Sequence, residues 1–244
     1  MQLHSPPILT VIIPVLKIEP FTLDRAISSA QALSNEFSIE IVMVNSDINI
    51  DRRRWLERYP DLRIVDSPPK GVYPAFNDGV ANATGDFVYF LGDSDLILPG
   101  MLDLIRKVTH PSGRIDVAVA LVLDQWKGVQ KNYHSKYSLI YNNWPHQGML
   151  FRRGLFKLSL FNPRYRVQGD HHLNILFAGN PEVTFSHFRE VVAYFCRGGI
   201  STTQIDTIWR EEMPSVISSS FGPFSGLLCR LRRFAGTIRN LLRK

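Results

Sequence analysis

Phe87-Val88-Tyr89-Phe90-Leu91 is an unbroken apolar run that stops at Gly92 and is followed by carboxylates at Asp93 and Asp95. A run of this kind, with no polar alternation, is the pattern of a strand covered on both faces. A strand covered twice needs helices on either side of its sheet, which points to an α/β architecture. Where the run ends the backbone leaves the sheet, and Asp93 and Asp95 should project into the crevice beyond its carboxyl edge. That is where open α/β sheets bind ligands. Two carboxylates one residue apart repel each other and resist desolvation unless a cation lies between them. Oxygen ligands at this spacing suit Mg²⁺ or Mn²⁺, ions that usually also hold substrate phosphates. The same residues describe equally a solvated Asp-Ser-Asp turn capping the next helix, so the rest of the chain must decide.

The flanking sequence supplies the sheet. Ile8 to Val15 predicts a buried strand with Pro14 at its exit, where no ladder donor is needed. Asp24 to Leu33 has helical spacing, Ile39 to Val44 is a second buried strand, Arg52 to Tyr59 a short helix and Leu62 to Val65 a third strand. This βαβαβ opening implies parallel strands with right-handed crossovers and a nucleotide-type ligand at the strand tips. No Gly-x-Gly-x-x-Gly follows the first strand and no Gly-Lys-Ser/Thr occurs, which weakens dinucleotide and P-loop readings. Ala75 to Ala83 predicts a short helix, Pro99 to Val108 another, and Ile115 to Leu123 a strand. Asp124 to Tyr141 reads as a loop or hairpin over the site. Gly148 to Phe151 and Val191 to Phe195 are late strands, and Gly169-Asp170-His171-His172 heads a helix.

Composition adds location more than class. The 244 residues suffice for one large α/β domain or two small ones, and 45% apolar with 20% charged residues is ordinary for a globular protein. Cys196 and Cys229 form neither a disulfide framework nor a metal pattern, which suits a reducing compartment. Met1 to Pro7 has no charged segment leading into an apolar one, so no signal peptide is expected, and no apolar run is long enough to cross a bilayer. The net charge of +6 resides in the tail: six basic and no acidic residues follow Phe224, leaving 22 basic against 22 acidic elsewhere. Nucleic-acid binding would spread basic and aromatic residues over a folded face, and is not expected. Phe224, Leu227, Leu228, Leu231, Phe234, Ala235, Ile238, Leu241 and Leu242 recur at steps of three and four, predicting an amphipathic helix with its cations opposite. Such a helix lies in an anionic membrane interface or docks on the body. The chain accordingly divides into residues 1–212 and a basic tail, 213–244.

Taken together, the ordered segments resemble bacterial family 2 glycosyltransferases of the GT-A fold that build surface polysaccharides. The likeness covers roughly residues 9–201. It rests on Thr10-Val-Ile-Ile-Pro14-Val15, on Gly71-Val-Tyr-Pro-Ala-Phe-Asn77-Asp-Gly79 with Ala83-Thr-Gly-Asp86, and on Asp93-Ser94-Asp95 at the Asp-x-Asp position. His146-Gln147 with Phe151-Arg-Arg153, Gly169-Asp170-His-His-Leu173 and Gly198-Gly-Ile-Ser201 complete it. Three departures stand out: Asn45 where the family usually carries a base-contacting Asp, Pro74 for the Asp of Gly-Ile-Tyr-Asp-Ala, and Pro69-Lys70 for Asp-Lys.

The resemblance implies a GT-A-like α/β fold, a mostly parallel central sheet flanked by helices, closed by the C-terminal amphipathic helix. It implies a metal-dependent inverting transferase with Asp95 and Asp93 holding Mn²⁺ or Mg²⁺ and Asp170 as general base. Pro14, Val15, Asn45, Lys70, Asn77, Asp93, Ser94 and His146 fall on the donor, a nucleotide sugar and most simply a UDP-sugar. The acceptor would be a saccharide, such as one on polyprenyl diphosphate, at the cytoplasmic face of the membrane, with residues 224–244 on the anionic surface. Asp170 by itself is equally an ordinary helix cap, and His146 a core histidine. Trp126, Tyr133, Tyr137 and Trp144 can stack on acceptor sugars or pack a half-buried loop. The rival functions are a nucleotidyltransferase and a non-catalytic sugar-nucleotide or membrane-scaffold module.

Overall fold

The computed structural model describes residues 6–110, 113–130, 135–198 and 204–241, with side chains as far as Phe234. Among the described residues nine strands form one sheet: β1 (Leu9–Val15), β2 (Ile39–Asn45), β3 (Leu62–Asp66), β4 (Phe87–Phe90), β5 (Leu96–Ile97), β6 (Val117–Asp124), β7 (Gly128–Val129), β8 (Met149–Arg152) and β9 (Phe185–Phe195). Their spatial order is β3-β2-β1-β4-β8-β6-β9-β5, with β7 beside β6. The predicted βαβαβ opening is parallel throughout β3-β2-β1-β4. Beyond β4 the sheet becomes mixed, because β8 runs antiparallel to both β4 and β6 while β6 and β9 are parallel.

The helices are α1 (Pro20–Gln31), α2 (Arg52–Arg58), α3 (Val72–Asn82), α4 (Gly100–Thr109), α5 (Gly169–Gly179), α6 (Thr207–Phe221) and α7 (Pro223–Leu241). α1 begins four residues before its predicted start, since Pro20 supplies the fixed φ of a first helical position. α6 was not legible: only Trp209, Pro214 and Ile217 of its fifteen residues are buried, too sparse a stripe to announce a helix, and it carries Pro214 internally. It runs unbroken through position 212, where the composition changes.

Strand alternation divides the core in two. Val11, Ile13, Met43, Phe87 and Tyr89 point to the α1/α4 side, while Ile12, Val42, Val44, Val88 and Phe90 face α3 and α5. Full burial of each such side chain is worth about 1.5–3 kcal/mol, so both faces of the central strands are fixed in register. That register sets the site. Pro14 pairs with Val44, Val15 with Asn45, and Asn45 with Asp66, so three strands end level with one another. Leu91 N–H donates to the Ile12 carbonyl, and Asp93 to Asp95 follow directly beyond the same edge.

The predicted tail helix exists, and the part of it with described side chains docks on the body by one face. α7 docks through Ser225, Gly226 and Cys229, all buried; a Cβ on Gly226 would sit 2.6 Å from the Ser218 Cβ of α6. Arg232 donates to the Tyr141 carbonyl and stacks over that ring. Small residues make the contact because the helices approach too closely for large ones. Phe224, Leu227, Leu231 and Phe234 point the other way, between 53% and 78% exposed, with Arg230 and Arg232 exposed beside them. Arg239, Ile238, Leu241 and the rest of the predicted stripe beyond Phe234 lie outside the described side chains. No helix among the described residues is long and apolar enough to cross a membrane.

Candidate functional site

The Asp-x-Asp turn is built by glycine. Asp95 N–H bonds the Gly92 carbonyl, and a Cβ on Gly92 would fall 2.6 Å from Asp95 Oδ2, so only glycine lets the carboxylate fold back here. Asp95 is 3% exposed. Its Oδ1 accepts from Cys196 N–H at 2.8 Å, where β9 ends, and its Oδ2 from Gln147 Nε2 at 3.0 Å. One lone pair on each oxygen stays free. Burial, and then the Asp95 charge, push Asp93 up to about 6. Burial likewise raises Asp95, opposed by the donors from Cys196 and Gln147. Two buried carboxylates side by side, each pushed up by burial, are what a divalent ion would stabilise, so the pair fits Mn²⁺ or Mg²⁺. Among the described residues no cluster of three metal-ligating side chains occurs, so further ligands would have to come from substrate and water.

Asp170 sits in the first turn of α5, but the cap residue is Gln168, which removes the ordinary-cap reading. Its Oδ1 accepts from its neighbour's backbone, His171 N–H, at 2.8 Å and from the Tyr73 hydroxyl at 3.0 Å, a proton shared with the Val167 carbonyl. Oδ2 accepts from Asn143 Nδ2 at 2.8 Å and faces His146 Nδ1 at 3.4 Å. Burial alone would raise Asp170, but the hydrogen bond and charge of His146, with help from His171 and Tyr73, hold it below the usual carboxylate range. Tyr73 reaches this point because residue 169 is glycine: a Cβ there would lie 2.7 Å from the ring. The support continues outward, since Asp206 caps α6 and also accepts from Val167 and Gln168 N–H, fixing the chain just before α5.

His146 and Gln147 therefore join the two acidic centres, one residue reaching Asp170 and the next Asp95. The turn carrying them, His146–Gly148, is held by Tyr89 of β4, whose buried hydroxyl donates to the Gln147 carbonyl at 2.7 Å. Of these supports, Tyr73 and Gln147 lay inside segments singled out in the sequence. Asn143, Cys196 and Asp206 lay in stretches with no pattern to mark them, and only folding places them here.

The remaining candidates scatter along the same edge. Pro14 and Val15 end β1, and Ser94 lies between the two carboxylates. Asn45 is buried and committed to its own loop: its side-chain amide donates to the Asp47 carbonyl and to Asp66, and its oxygen accepts from Asp47 N–H. Asn77 likewise exchanges two hydrogen bonds with the Phe161 backbone. Lys70 is exposed and, with Ser67, Pro74, Asn77, Asp78 and Pro163, lines a hollow of about 390 Å³. Trp144 is core, 1% exposed and donating to Ser138, so it is no sugar platform. Trp126 is 74% exposed with the Arg197 guanidinium over its ring, and Arg197 is fixed by a bidentate pair with buried Asp124. Tyr137 is half-exposed against Phe221. Tyr133, and Gly199 to Ser201 of the late glycine segment, lie outside the described residues.

Comparison with known proteins bears on this arrangement. The model of the family described as "Glycosyl transferase family 2" matches residues 10–177. A PGL/p-HBAD biosynthesis glycosyltransferase of Mycobacterium bovis is 31% identical over 227 residues, spanning 85% of this chain and 84% of that protein. The crystal structure of S. aureus TarS 1-349 in complex with UDP-GlcNAc superposes with a TM-score of 0.67 at 15% identity, over 85% of this chain and 65% of that one. The mannosyltransferase PcManGT from Pyrobaculum calidifontis, in complex with GDP-Man and Mn²⁺, gives 0.58 at 18% identity, over 89% and 64%. These two solved chains, of which this one spans slightly under two thirds, are similar in fold.

Proposed function

This chain belongs to glycosyl transferase family 2, and from that premise we propose that it is a metal-dependent inverting glycosyltransferase, moving a sugar from a nucleotide-sugar donor to a saccharide acceptor. One observation carries the reading: consecutive residues His146 and Gln147 tie the Asp93/Asp95 pair to Asp170, so a cation site and a base site share one crevice at the sheet's carboxyl edge. A divalent ion, when bound by Asp95 and Asp93, would neutralise charge on the leaving diphosphate. The chain's own part is to orient. The level ends of β1, β2 and β3 receive the nucleotide, with Pro14, Val15, Asn45 and Lys70 around it. Asp170 removes the acceptor's proton on the side opposite the leaving group. Attack opposite the leaving group inverts the anomeric centre.

The finer reading is a lipid-linked acceptor in surface polysaccharide assembly, met at the inner face of the cytoplasmic membrane. Its support is the outward stripe of Phe224, Leu227, Leu231 and Phe234, bordered by Arg230 and Arg232. A helix docked by one face and apolar on the other, with cations at its borders, suits an anionic interface.

The test is product release with Mn²⁺ and UDP-N-acetylglucosamine, UDP-glucose or GDP-mannose as donor. Nucleoside diphosphate should appear and Asp95→Ala should abolish it. Pyrophosphate as the product would indicate a nucleotidyltransferase instead, and normal turnover by Asp95→Ala in the presence of a chelator would remove the metal role.

A further inference from the structure

Trp126 is 74% exposed, whereas Trp55, Trp144 and Trp209 are each 5% exposed or less. An indole left in water adds nothing to the core, yet the turn that carries this one is firmly built. β6 and β7 pair in a tight hairpin, Leu123 opposite Val129 and Asp124 opposite Gly128, and Gly128 supplies the positive φ of 71° that closes it. Buried Asp124 accepts from Trp126 N–H at 2.9 Å, Lys127 N–H at 3.0 Å and Gln130 Nε2 at 3.1 Å. The same carboxylate accepts from Arg197 Nε at 2.9 Å and Nη2 at 2.8 Å. Gln125 N–H bonds the Phe195 carbonyl, and the Gln125 side-chain oxygen accepts from Arg197 N–H at 2.9 Å.

Arg197 also fixes the ring. Its guanidinium carbon lies 5.1 Å from the ring centroid and its side chain is only 15% exposed, so it backs one face of the indole while the other meets solvent. A flat apolar surface already held in one orientation loses little freedom when a ligand stacks on it. Gln125 and Lys127 beside it are exposed and polar, and Val129 is the apolar exception. A pyranose suits such a surface, since it has an apolar C–H face and a rim of hydroxyls, whereas a lipid surface calls for a broader apolar face. The fold then says which sugar. Arg197 follows Cys196, whose N–H holds Asp95 Oδ1 at 2.8 Å. β6 and β9 stand on the far side of β4 from β1, β2 and β3. Trp126 therefore flanks the carboxylate pair across from the strand tips assigned to the nucleotide.

We propose that Trp126 is the platform on which the acceptor saccharide stacks, with Arg197 and Asp124 as positioning residues that aim the ring. The inference rests on the transferase reading given above and adds to it a residue for the acceptor. A sugar seated on the open face lies beside the crevice that Asp95 and Asp170 share, while the nucleotide occupies its opposite side. Stacking holds the acceptor equally before and during transfer, so it sets acceptor affinity and not the chemical step.

The experiment follows the indole N–H signals of the full chain by NMR, that of Trp126 being the one lost in Trp126→Phe. The methyl pyranosides of glucose, galactose, mannose and N-acetylglucosamine are titrated in the presence of Mn²⁺. At least one should shift the Trp126 signal saturably and leave those of the three buried tryptophans in place. Saturation transfer to the C–H protons of that pyranoside should show affinity falling about tenfold or more in Trp126→Ala and less than about threefold in Trp126→Tyr. In turnover with the donor that the wild type uses, Trp126→Ala should raise the acceptor KM by about tenfold or more, with donor KM changed less than about threefold and the loss recovered at saturating acceptor. Trp126→Gln serves the same comparison if the alanine variant does not fold. No saturable shift with any pyranoside, wild-type affinity in Trp126→Ala, a loss that falls on donor KM, or a loss confined to co-sedimentation with anionic vesicles would each overturn the assignment. A wild type that releases no nucleoside diphosphate from any donor would instead overturn the transferase reading, while the titration, which needs no turnover, still decides whether Trp126 holds a saccharide.

Discussion

Replacing Asp93 with asparagine should stabilise the metal-free protein at neutral pH. Asp93 is raised from its ordinary 3.8 to about 6, first by burial and then by the charge of Asp95. In the unfolded chain neither influence operates. The folded form therefore holds a proton more tightly than the unfolded one, and the sign follows: the contribution to stability is fully present below about pH 4 and is lost as pH rises through about 6. At 1.36 kcal/mol per pH unit, ionised Asp93 costs at most about 3 kcal/mol at pH 7. Partial solvent access to the group reduces this, so 1–3 kcal/mol is expected. For a chain of this size about 2 °C accompanies each kcal/mol, so Asp93→Asn should melt about 2–6 °C higher than the wild type. The assay is thermal denaturation by circular dichroism in chelator at pH 7 and at pH 4.5. The gap should narrow to about a third at pH 4.5, where Asp93 is neutral in the folded wild type but still partly ionised when unfolded. Adding Mn²⁺ at pH 7 should raise the wild type's melting temperature and leave the variant's unchanged. A variant that melts lower than wild type at pH 7, or a gap of equal size at both pH values, would refute the electrostatic argument.

Other consequences are as direct. Gly169→Ala places a Cβ 2.7 Å from the Tyr73 ring and should cost about 1–3 kcal/mol in thermal unfolding and most of the activity, whereas Gly154→Ala, where nothing lies within 4 Å, should be neutral. Asp206→Ala removes the α6 cap together with the partner of Val167 and Gln168 N–H, and should lower stability by about 2–4 kcal/mol in urea titration. Leu227→Glu combined with Leu231→Glu changes residues already more than half exposed, so melting should shift by less than about 1 kcal/mol. Co-sedimentation with anionic vesicles should nevertheless fall at least tenfold, since each buried leucine is worth about 1.5–3 kcal/mol; equal sedimentation would remove the membrane reading. Truncation at Gly222 is the poorer test, because it also strips Cys229 from the core.

The sequence determined what depends on neighbours along the chain. The apolar run at Phe87–Leu91, the βαβαβ opening and the Gly-Asp-Ser-Asp exit are local patterns, and burial follows from them directly. Strands that are apolar on both faces must lie inside an α/β sheet, and their carboxyl ends must then face one crevice. Asp93 and Asp95 could be named for the same reason, since carboxylates at a strand tip advertise their position, whereas Asp170 was singled out only through the family resemblance. The amphipathic spacing of residues 224–234 foretold a helix too, though not which side would be covered. A periodic stripe says only that one face differs from the other. Docking through Ser225, Gly226 and Cys229 was decided by the close approach of α6, a helix that itself left almost no trace in the pattern.

Only the tertiary structure settled which groups meet. Asp95 meets Cys196 and Gln147, and Asp170 meets Tyr73, Asn143 and His146, partners from 24 to 101 residues away except for its own neighbour His171. Hydrogen bonds across such separations leave no periodicity, because their geometry is set by strand register and not by spacing in the chain. Asn45 and Asn77 show the same: their hydrogen bonds to Asp47, Asp66 and the Phe161 backbone could not be read from residue type and position. The carboxylates were legible as residues, but how each is shared among donors is a property of the packed crevice alone.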